Sequence, residues 1–189
     1  MGVALARRGR APTLALAVAA ACLLGAEGIH AAVIADHFAE WWAEGLFFFA
    51  LCVLEAGLAV ALLLAPSRRV CHAAVAASVA TVGVWAWSRT VGVPLGPNAG
   101  YPEPVGRADV VATVLETLTA LALAPTAMRS AAALRRPVLR SGPLRSTGAA
   151  LVAVALVTAF GLSGVDAHAH HAAHAPPAPI NVAAGVGGH

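Results

Sequence analysis

The sequence has little charge and no lysine. Only 11% of its 189 residues are charged, whereas a soluble domain has about 25%. All twelve basic residues are arginine, which we interpret, with the frequent alanine, valine and glycine, as a coding bias rather than as chemistry. The hydrophobic fraction is 59%, and the mean hydropathy is +0.78. This composition excludes an ordinary soluble domain and predicts an integral membrane protein in contact with the lipid bilayer.

Other patterns missing from the sequence limit the classes of function that the protein can have. The three cysteines, Cys22, Cys52 and Cys71, show no CxxC spacing and fall inside apolar runs, so we expect small buried side chains and no disulfide framework. The net charge of +3 comes from arginines clustered between apolar runs, a pattern of membrane topology that gives no reason to expect a nucleic-acid partner. No nucleophile–base pattern is present, so an enzyme is the least favoured class.

Apolar runs dominate the chain. A helix needs about 20 mostly apolar residues to cross the hydrocarbon core, and the runs lack the alternation of barrel strands. We therefore predict an all-α, polytopic bundle of five transmembrane helices within residues 12–166. It follows a basic segment at 1–11 and precedes a disordered His-rich tail at 167–189. The predicted spans are 12–35, 43–65, 70–92, 108–128 and 148–166.

The arginines predict an orientation. Ten of the twelve precede the first span or lie in the second-to-third and fourth-to-fifth connections, and only Arg89 and Arg107 lie on the other side. The positive-inside rule therefore predicts a cytoplasmic N-terminus and an extracytoplasmic C-terminus in a multi-pass plasma-membrane protein. The first span has some features of a signal peptide, but its apolar part exceeds the usual ~7–15 residues. We interpret it as a retained helix.

Several ionisable residues fall within or beside the predicted spans. Such residues are costly in hydrocarbon and point to function. At about 1.5 Å per residue, Glu27 and Glu116 lie roughly 12 Å below the outer surface, and Glu55 lies near the midplane. One interpretation is a buried ion-pair network in which Glu27, Arg89 and Glu116 join three helices. The candidate network comprises Glu27, Glu55, Arg89, Asp109 and Glu116.

A metal site is the other interpretation. On the first helix, Glu27, His30 and His37 share one stripe, and imidazole with carboxylate suits copper, zinc or iron. We expect copper or zinc, with haem as a weaker alternative. The tail adds a second set of candidate ligands, because flexible His-rich tracts bind metals; a low-complexity tail without such a role is the alternative. These tail histidines are His168, His170, His171 and His174.

Three pieces of the sequence carry a resemblance: "HFAEWWAEGLFFF", "WSRTVGVPLGP" and "PEPVGRADVVATVLE". Together they resemble a group of uncharacterised small multi-span membrane proteins of high-GC Gram-positive bacteria. The resemblance covers roughly residues 27–120, leaves out the tail and implies no activity. It implies a multi-span architecture and a polar cluster at the outer face. The matched positions are His37, Glu40, Trp41, Arg89, Thr90, Gly92, Pro94, Gly96, Pro97, Glu103, Gly106, Asp109 and Glu116.

Three hypotheses follow from the sequence. The leading one is a non-enzymatic membrane protein that binds a transition metal at its extracytoplasmic face. The second is a small transporter or channel subunit that moves protons or a solute past intramembrane carboxylates such as Glu55. The third is a structural membrane protein whose buried ion pairs only hold its helices together.

Overall fold

The protein is a bundle of α-helices. The computed structural model describes residues 2–127 and 144–163, and it describes the side chains of 13–126 and 152–163. Within these ranges the chain consists of helices joined by turns and one longer loop, which confirms the prediction of an all-α protein. The helices are α1 (Gly2–Glu40), α2 (Trp42–Leu64), α3 (Arg68–Thr90), α4 (Arg107–Ala127) and α5 (Leu144–Leu162).

Local sequence accounts for the helix ends. One residue, Trp41, separates α1 from α2, and its extended backbone (φ −158°, ψ 125°) turns the chain back on itself. Ser67 caps α3 by accepting a hydrogen bond from the Val70 amide at 3.2 Å, which satisfies one of the free amides of the first turn. At α4, the Asp109 carboxylate accepts from the Gly106 amide at 2.8 Å.

The longest helix, α1, lies at the centre of the bundle. It packs against α2, α4 and α5, while α3 packs mainly against α4 and only weakly against α2. More than half of the most apolar window of α1 is buried, against a third or less for α2, α3 and α4. Helices α2, α4 and α5 therefore pack around α1, and α2, α3 and α4 expose more of their own surface.

The exposed surface of the helices is apolar. Large hydrophobic side chains such as Val53 (60% exposed), Leu121 (64%) and Leu156 (67%) face outward. A soluble protein rarely exposes so much apolar surface, whereas lipid-facing helices require it. Helices α1 to α4 are each long and apolar enough to cross a membrane. The structure therefore supports a membrane protein with at least four candidate spans among the described residues.

The contact of α5 with α1 and α4 depends on a glycine. A Cβ atom at Gly161 would lie 2.9 Å from Cδ1 of Ile29 and 2.9 Å from Cγ1 of Val111. Small residues of this kind allow close approach of membrane helices. At Gly83 of α3, by contrast, a Cβ atom would meet nothing within 4 Å.

We expect Gly161→Leu to destabilise the bundle by about 1–3 kcal/mol, the usual effect of overpacking. Gly83→Leu is the matched control, because both substitutions remove a helical glycine and only one meets a neighbour. The thermal unfolding midpoints of the two variants in detergent measure the difference. Equal midpoints would contradict the packing of α5 at Gly161.

Candidate functional site: a buried His–Glu–Glu triad beneath a cavity

One end of the bundle, here called the loop end, carries the turn at Trp41 and the loop of residues 91–106. The loop folds over the turn: Asn98 donates a hydrogen bond to the Glu40 carboxylate, and Gly96 lies against the Trp41 ring. A Cβ atom at Gly96 would come within 2.8 Å of that ring, and the φ of Gly96 is +100°. Only glycine adopts this conformation at no steric cost and also leaves room for the indole. The loop is therefore an ordered cap.

Arg89, in the last turn of α3, fastens the loop to α4. Its Nη2 lies 2.9 Å from Oδ1 of Asp109, and its Nη1 pairs with the Glu103 carboxylate. The Glu103 amide also donates to the Ser88 carbonyl at 3.1 Å. Helix α3, the loop and α4 are thereby joined at one guanidinium.

These partners of Arg89 differ from the ones predicted. The sequence suggested that Arg89 pairs with Glu27 and Glu116, whereas its ion pairs are with Glu103 and Asp109. The physical reason is that Glu116 lies deeper in the bundle than Arg89 can reach from the end of α3. Glu116 lies two turns further into α4 than Asp109, about 10 Å along the helix axis. Arg89 and Asp109 are therefore brought together as the candidate network required, while Glu116 belongs to another group.

That other group is a triad of ionisable side chains inside the bundle. Nδ1 of His30 on α1 lies 3.1 Å from Oε2 of Glu55 on α2. Glu116 of α4 completes the group, and one ligand atom from each of the three residues lies within 4.8 Å of the others. We call these three residues the buried triad. Their exposures are 7% for His30 and 1% for each glutamate.

Most carboxylate oxygens of the buried triad lack a well-formed hydrogen bond. Oε2 of Glu55 is paired with His30. Oε1 of Glu55 and both oxygens of Glu116 have no partner of good geometry among the residues whose side chains are described, although Glu116 lies beside Glu55 and the buried Ser78 hydroxyl. Buried polar atoms are almost always hydrogen-bonded, and leaving them unpaired is costly. The triad therefore has the donor set and the unsatisfied oxygens of a group that could hold a cation.

Glu27 lies outside the buried triad. Its side chain is half-buried, and its backbone carbonyl accepts from Sγ of Cys52 at 3.7 Å. The stripe of Glu27, His30 and His37 on α1 thus does not form one ligand set, because His30 and His37 meet different carboxylates of α2.

Cys22, Cys52 and Cys71 are buried and free, which confirms the expectation for the cysteines.

His37 belongs to a second group, nearer the turn. Its Nδ1 lies 3.4 Å from Oε1 of Glu44, and one ligand atom each from His37, Glu40 and Glu44 lies within 4.8 Å of the others. We call these three residues the mouth group; they are partly exposed. The Phe48 ring stacks on His37 with centroids 4.1 Å apart, and its centroid lies 5.7 Å from that of the His30 ring, so Phe48 neighbours both imidazoles.

A cavity of about 340 Å³ is lined by one residue of the buried triad, His30, and by two residues of the mouth group, His37 and Glu44. It lies among α1, α2, α3, α4 and the loop, where the weak contact between α2 and α3 leaves space. Most of its wall is apolar. The charged residues in its wall are Glu44, Arg89, Glu103 and Asp109.

The opposite half of the bundle is closed. Beyond the triad, α1, α2, α3 and α4 meet in an apolar cluster in which the side chains of Leu23, Leu62 and Leu123 are fully buried. Small residues such as Ala19 and Ala74 fill the remaining space between them. Among the described residues, the buried triad therefore has a cavity on its loop-end side and packed hydrocarbon on the other.

The tail lies outside the described residues. The candidate ligands His168, His170, His171 and His174 belong to it, so they stay sequence-based predictions. The pairing of His30 with Glu55 was missed. The two residues lie on either side of Trp41, His30 11 positions before it and Glu55 14 positions after it. The predicted spans left several residues between the first two helices, so the position of the turn was not evident from the sequence.

Fold and site together define a helical protein with membrane-spanning character and a buried His–Glu–Glu group open toward one end. Comparisons of this chain with models of protein families, with curated proteins and with solved structures find no match.

Proposed function

We propose that this chain is a plasma-membrane protein that binds a divalent transition-metal ion at the buried triad. The observation that carries the proposal is the set of three buried carboxylate oxygens, on Glu55 and Glu116, that have no hydrogen bond of good geometry among the described side chains. An ionised carboxylate is costly to bury in an apolar medium, so such a group takes up a proton, pairs with a cation or coordinates a metal.

Charge and geometry both favour a divalent ion. Two carboxylates and one neutral imidazole sum to a charge of −2, which a divalent cation neutralises. A tetrahedral zinc ion with bonds of about 2.1 Å holds its ligand atoms roughly 3.4 Å apart. The triad atoms already lie within 4.8 Å of one another, so small side-chain rotations suffice. Zinc and copper both accept nitrogen and oxygen donors, and the paired carboxylates favour an ion over haem.

The proposed orientation places the loop end outside the cell. Ten arginines on the other side of the predicted spans support it, by the positive-inside rule. We propose α5 as the fifth span and α1 as a retained helix, because α1 packs against α2, α4 and α5. We also propose membership of the group of high-GC Gram-positive membrane proteins named above. In its support, the segments that carry the resemblance include Trp41, Arg89 and Asp109, and all three line the cavity.

Elemental analysis of the purified protein tests the metal site. The full chain is produced without a polyhistidine tag and with every tail histidine replaced by alanine, so that the tail contributes no ligand. After incubation with zinc or copper and removal of free metal, we expect about one ion per chain. The replaced residues are His168, His170, His171, His174 and His189.

Single substitutions then assign the ligands. In the same background, His30→Ala, Glu55→Gln and Glu116→Gln should each remove the bound ion. Glu27→Gln is the matched control, since it neutralises a neighbouring glutamate outside the triad, and it should keep the ion. The proposal would be contradicted if the parent binds no metal, or if Glu27→Gln is the variant that loses the ion while the three triad variants keep it.

Proton binding is the second candidate, and the proximity of the two carboxyl groups favours it. Glu55 and Glu116 can share a proton, with His30 as an exchange partner. Movement of protons across the membrane is less well supported, because the apolar cluster around Leu23, Leu62 and Leu123 closes the far half of the described bundle. Proton flux in proteoliposomes that Glu55→Gln abolishes, in a protein without metal, would favour this candidate over metal binding.

A further inference from the structure

The cavity and the buried triad share one residue, His30. It lines the cavity and at the same time lies 3.1 Å from Glu55, whereas Glu55 and Glu116 do not line the cavity. An ion that arrives through the cavity therefore meets the imidazole first and the two carboxylates behind it. We infer that the cavity is the route by which the cation reaches the buried triad, from the loop end only, past His37 and Glu44. This inference rests on the proposed metal site.

The charge of the cavity wall suits a cation. Its charged residues are three acids and one arginine, which gives a net charge of −2 with neutral histidines. Arg89 is held by two of these acids, Glu103 and Asp109. Glu44 is left beside His37 at the entrance. An anion would meet a net repulsive wall, whereas a cation is attracted from solution to the entrance.

The entrance also holds suitable transient ligands. His37, Glu40 and Glu44 offer one imidazole and two carboxylates within 4.8 Å, the same donor types as the buried triad. Since these residues are partly exposed, water competes for an ion there, and the ion is not retained. The mouth group therefore replaces part of the hydration shell of the ion before it moves inward, and the buried triad then retains it.

Within residues 13–126 and 152–163, whose side chains are described, no comparable route leads from the other side. The cluster around Leu23, Leu62 and Leu123 packs against the far side of the site, and these three side chains are completely inaccessible. An ion crossing that region would lose its hydration without any replacement ligand, which costs many kcal/mol. Loading of the triad is therefore one-sided.

Vesicles of defined orientation test this inference. Right-side-out and inside-out membrane vesicles from cells expressing the full chain, with the tail histidines replaced by alanine, are exposed to radioactive zinc on the outer surface. A membrane-impermeant chelator then removes accessible ions. We expect loading and stripping in one vesicle orientation, the one that exposes the loop end, and neither in the other over the same time.

Variants at the entrance test the role of Glu44. Glu44→Gln should slow loading about threefold to tenfold, as one charge supplies only part of the roughly 10- to 1,000-fold that a whole charged cleft can give. The final amount of bound zinc should stay that of the parent. Asp36→Asn is the matched control: it removes one negative charge from an exposed position near the same end of α1 that does not line the cavity. Its loading rate should match the parent.

The outcomes separate the two proposals. Equal loading from both faces, or an unchanged rate in Glu44→Gln with full final occupancy, overturns the route and leaves the metal site standing. Absence of bound zinc in both orientations at saturating concentration overturns the metal site and the route with it.

Discussion

Replacement of Arg89 by methionine should lower the free energy of unfolding by about 2–3 kcal/mol. Removal of one partner from a buried ion pair leaves the other charge uncompensated, which typically costs about 3–5 kcal/mol. Here the side chain of Arg89 is 14% exposed, but Glu103 and Asp109 are 27% and 30% exposed. Water screens the two acids in part, so we expect a smaller effect than for a fully buried pair.

Arg107→Met is the matched control for this substitution. Arg107 lies at the same end of the bundle, where its guanidinium stands 5.0 Å above the Phe160 ring and pairs with Ser163 at an exposed position. Loss of such contacts costs about 1 kcal/mol or less. Thermal unfolding of both variants in detergent measures the difference. If Arg89→Met is no less stable than Arg107→Met, Arg89 does not fasten the loop to α4.

Replacement of Glu116 by leucine should stabilise the metal-free protein and abolish its response to metal. Glu116 is 1% exposed, and neither of its carboxylate oxygens has a partner among the described residues. Replacement of buried ionic groups by apolar residues of similar volume often stabilises a protein by about 1–4 kcal/mol. The parent, in contrast, should gain about 4 kcal/mol from an ion at a thousand times its dissociation constant.

The substitution should raise the stability of the metal-free protein and remove the stabilisation by zinc, so two measurements of unfolding test the prediction. Unfolding midpoints with and without zinc should differ strongly for the parent and coincide for Glu116→Leu, whose metal-free midpoint is the higher one. Glu27→Leu serves as control, because Glu27 is half-buried and outside the triad; its response to zinc should remain. A Glu116→Leu protein that is less stable than the metal-free parent would show that the carboxyl group is already satisfied in the absence of an ion.

Much of the fold is predictable from apolar run lengths. Helices α2, α3 and α4 begin and end within two residues of the predicted spans. The reason is that the thickness of the hydrocarbon core sets both the length of a spanning helix and the length of its apolar run. The first and last helices differ: α1 runs from Gly2 to Glu40 where the span 12–35 was predicted, and α5 runs from Leu144 to Leu162 where 148–166 was predicted. Apolarity marks the membrane-embedded part of a helix, but backbone hydrogen bonding continues through Asp36 and His37 until the turn at Trp41.

The composition of the candidate site was less predictable. His30, Glu55 and Glu116 were each recognised as costly intramembrane residues, yet their grouping depends on how α1, α2 and α4 face one another. The partners of Arg89 depend on a loop whose course requires positive φ angles at Gly92, Gly96 and Gly100. Such conformations bring Glu103 back to Arg89, and spacing along the chain does not reveal this.

The central place of α1 has a consequence for biosynthesis. A ribosome delivers helices in chain order, so α1 and α2 are made before α4 and α5. Until α4 is made, α1 can pack against α2, across the turn at Trp41, but not against α4 or α5. In that interval the nascent chain carries His30 beside Glu55 without the third carboxylate. The triad is therefore completed only when α4 packs against the hairpin of α1 and α2.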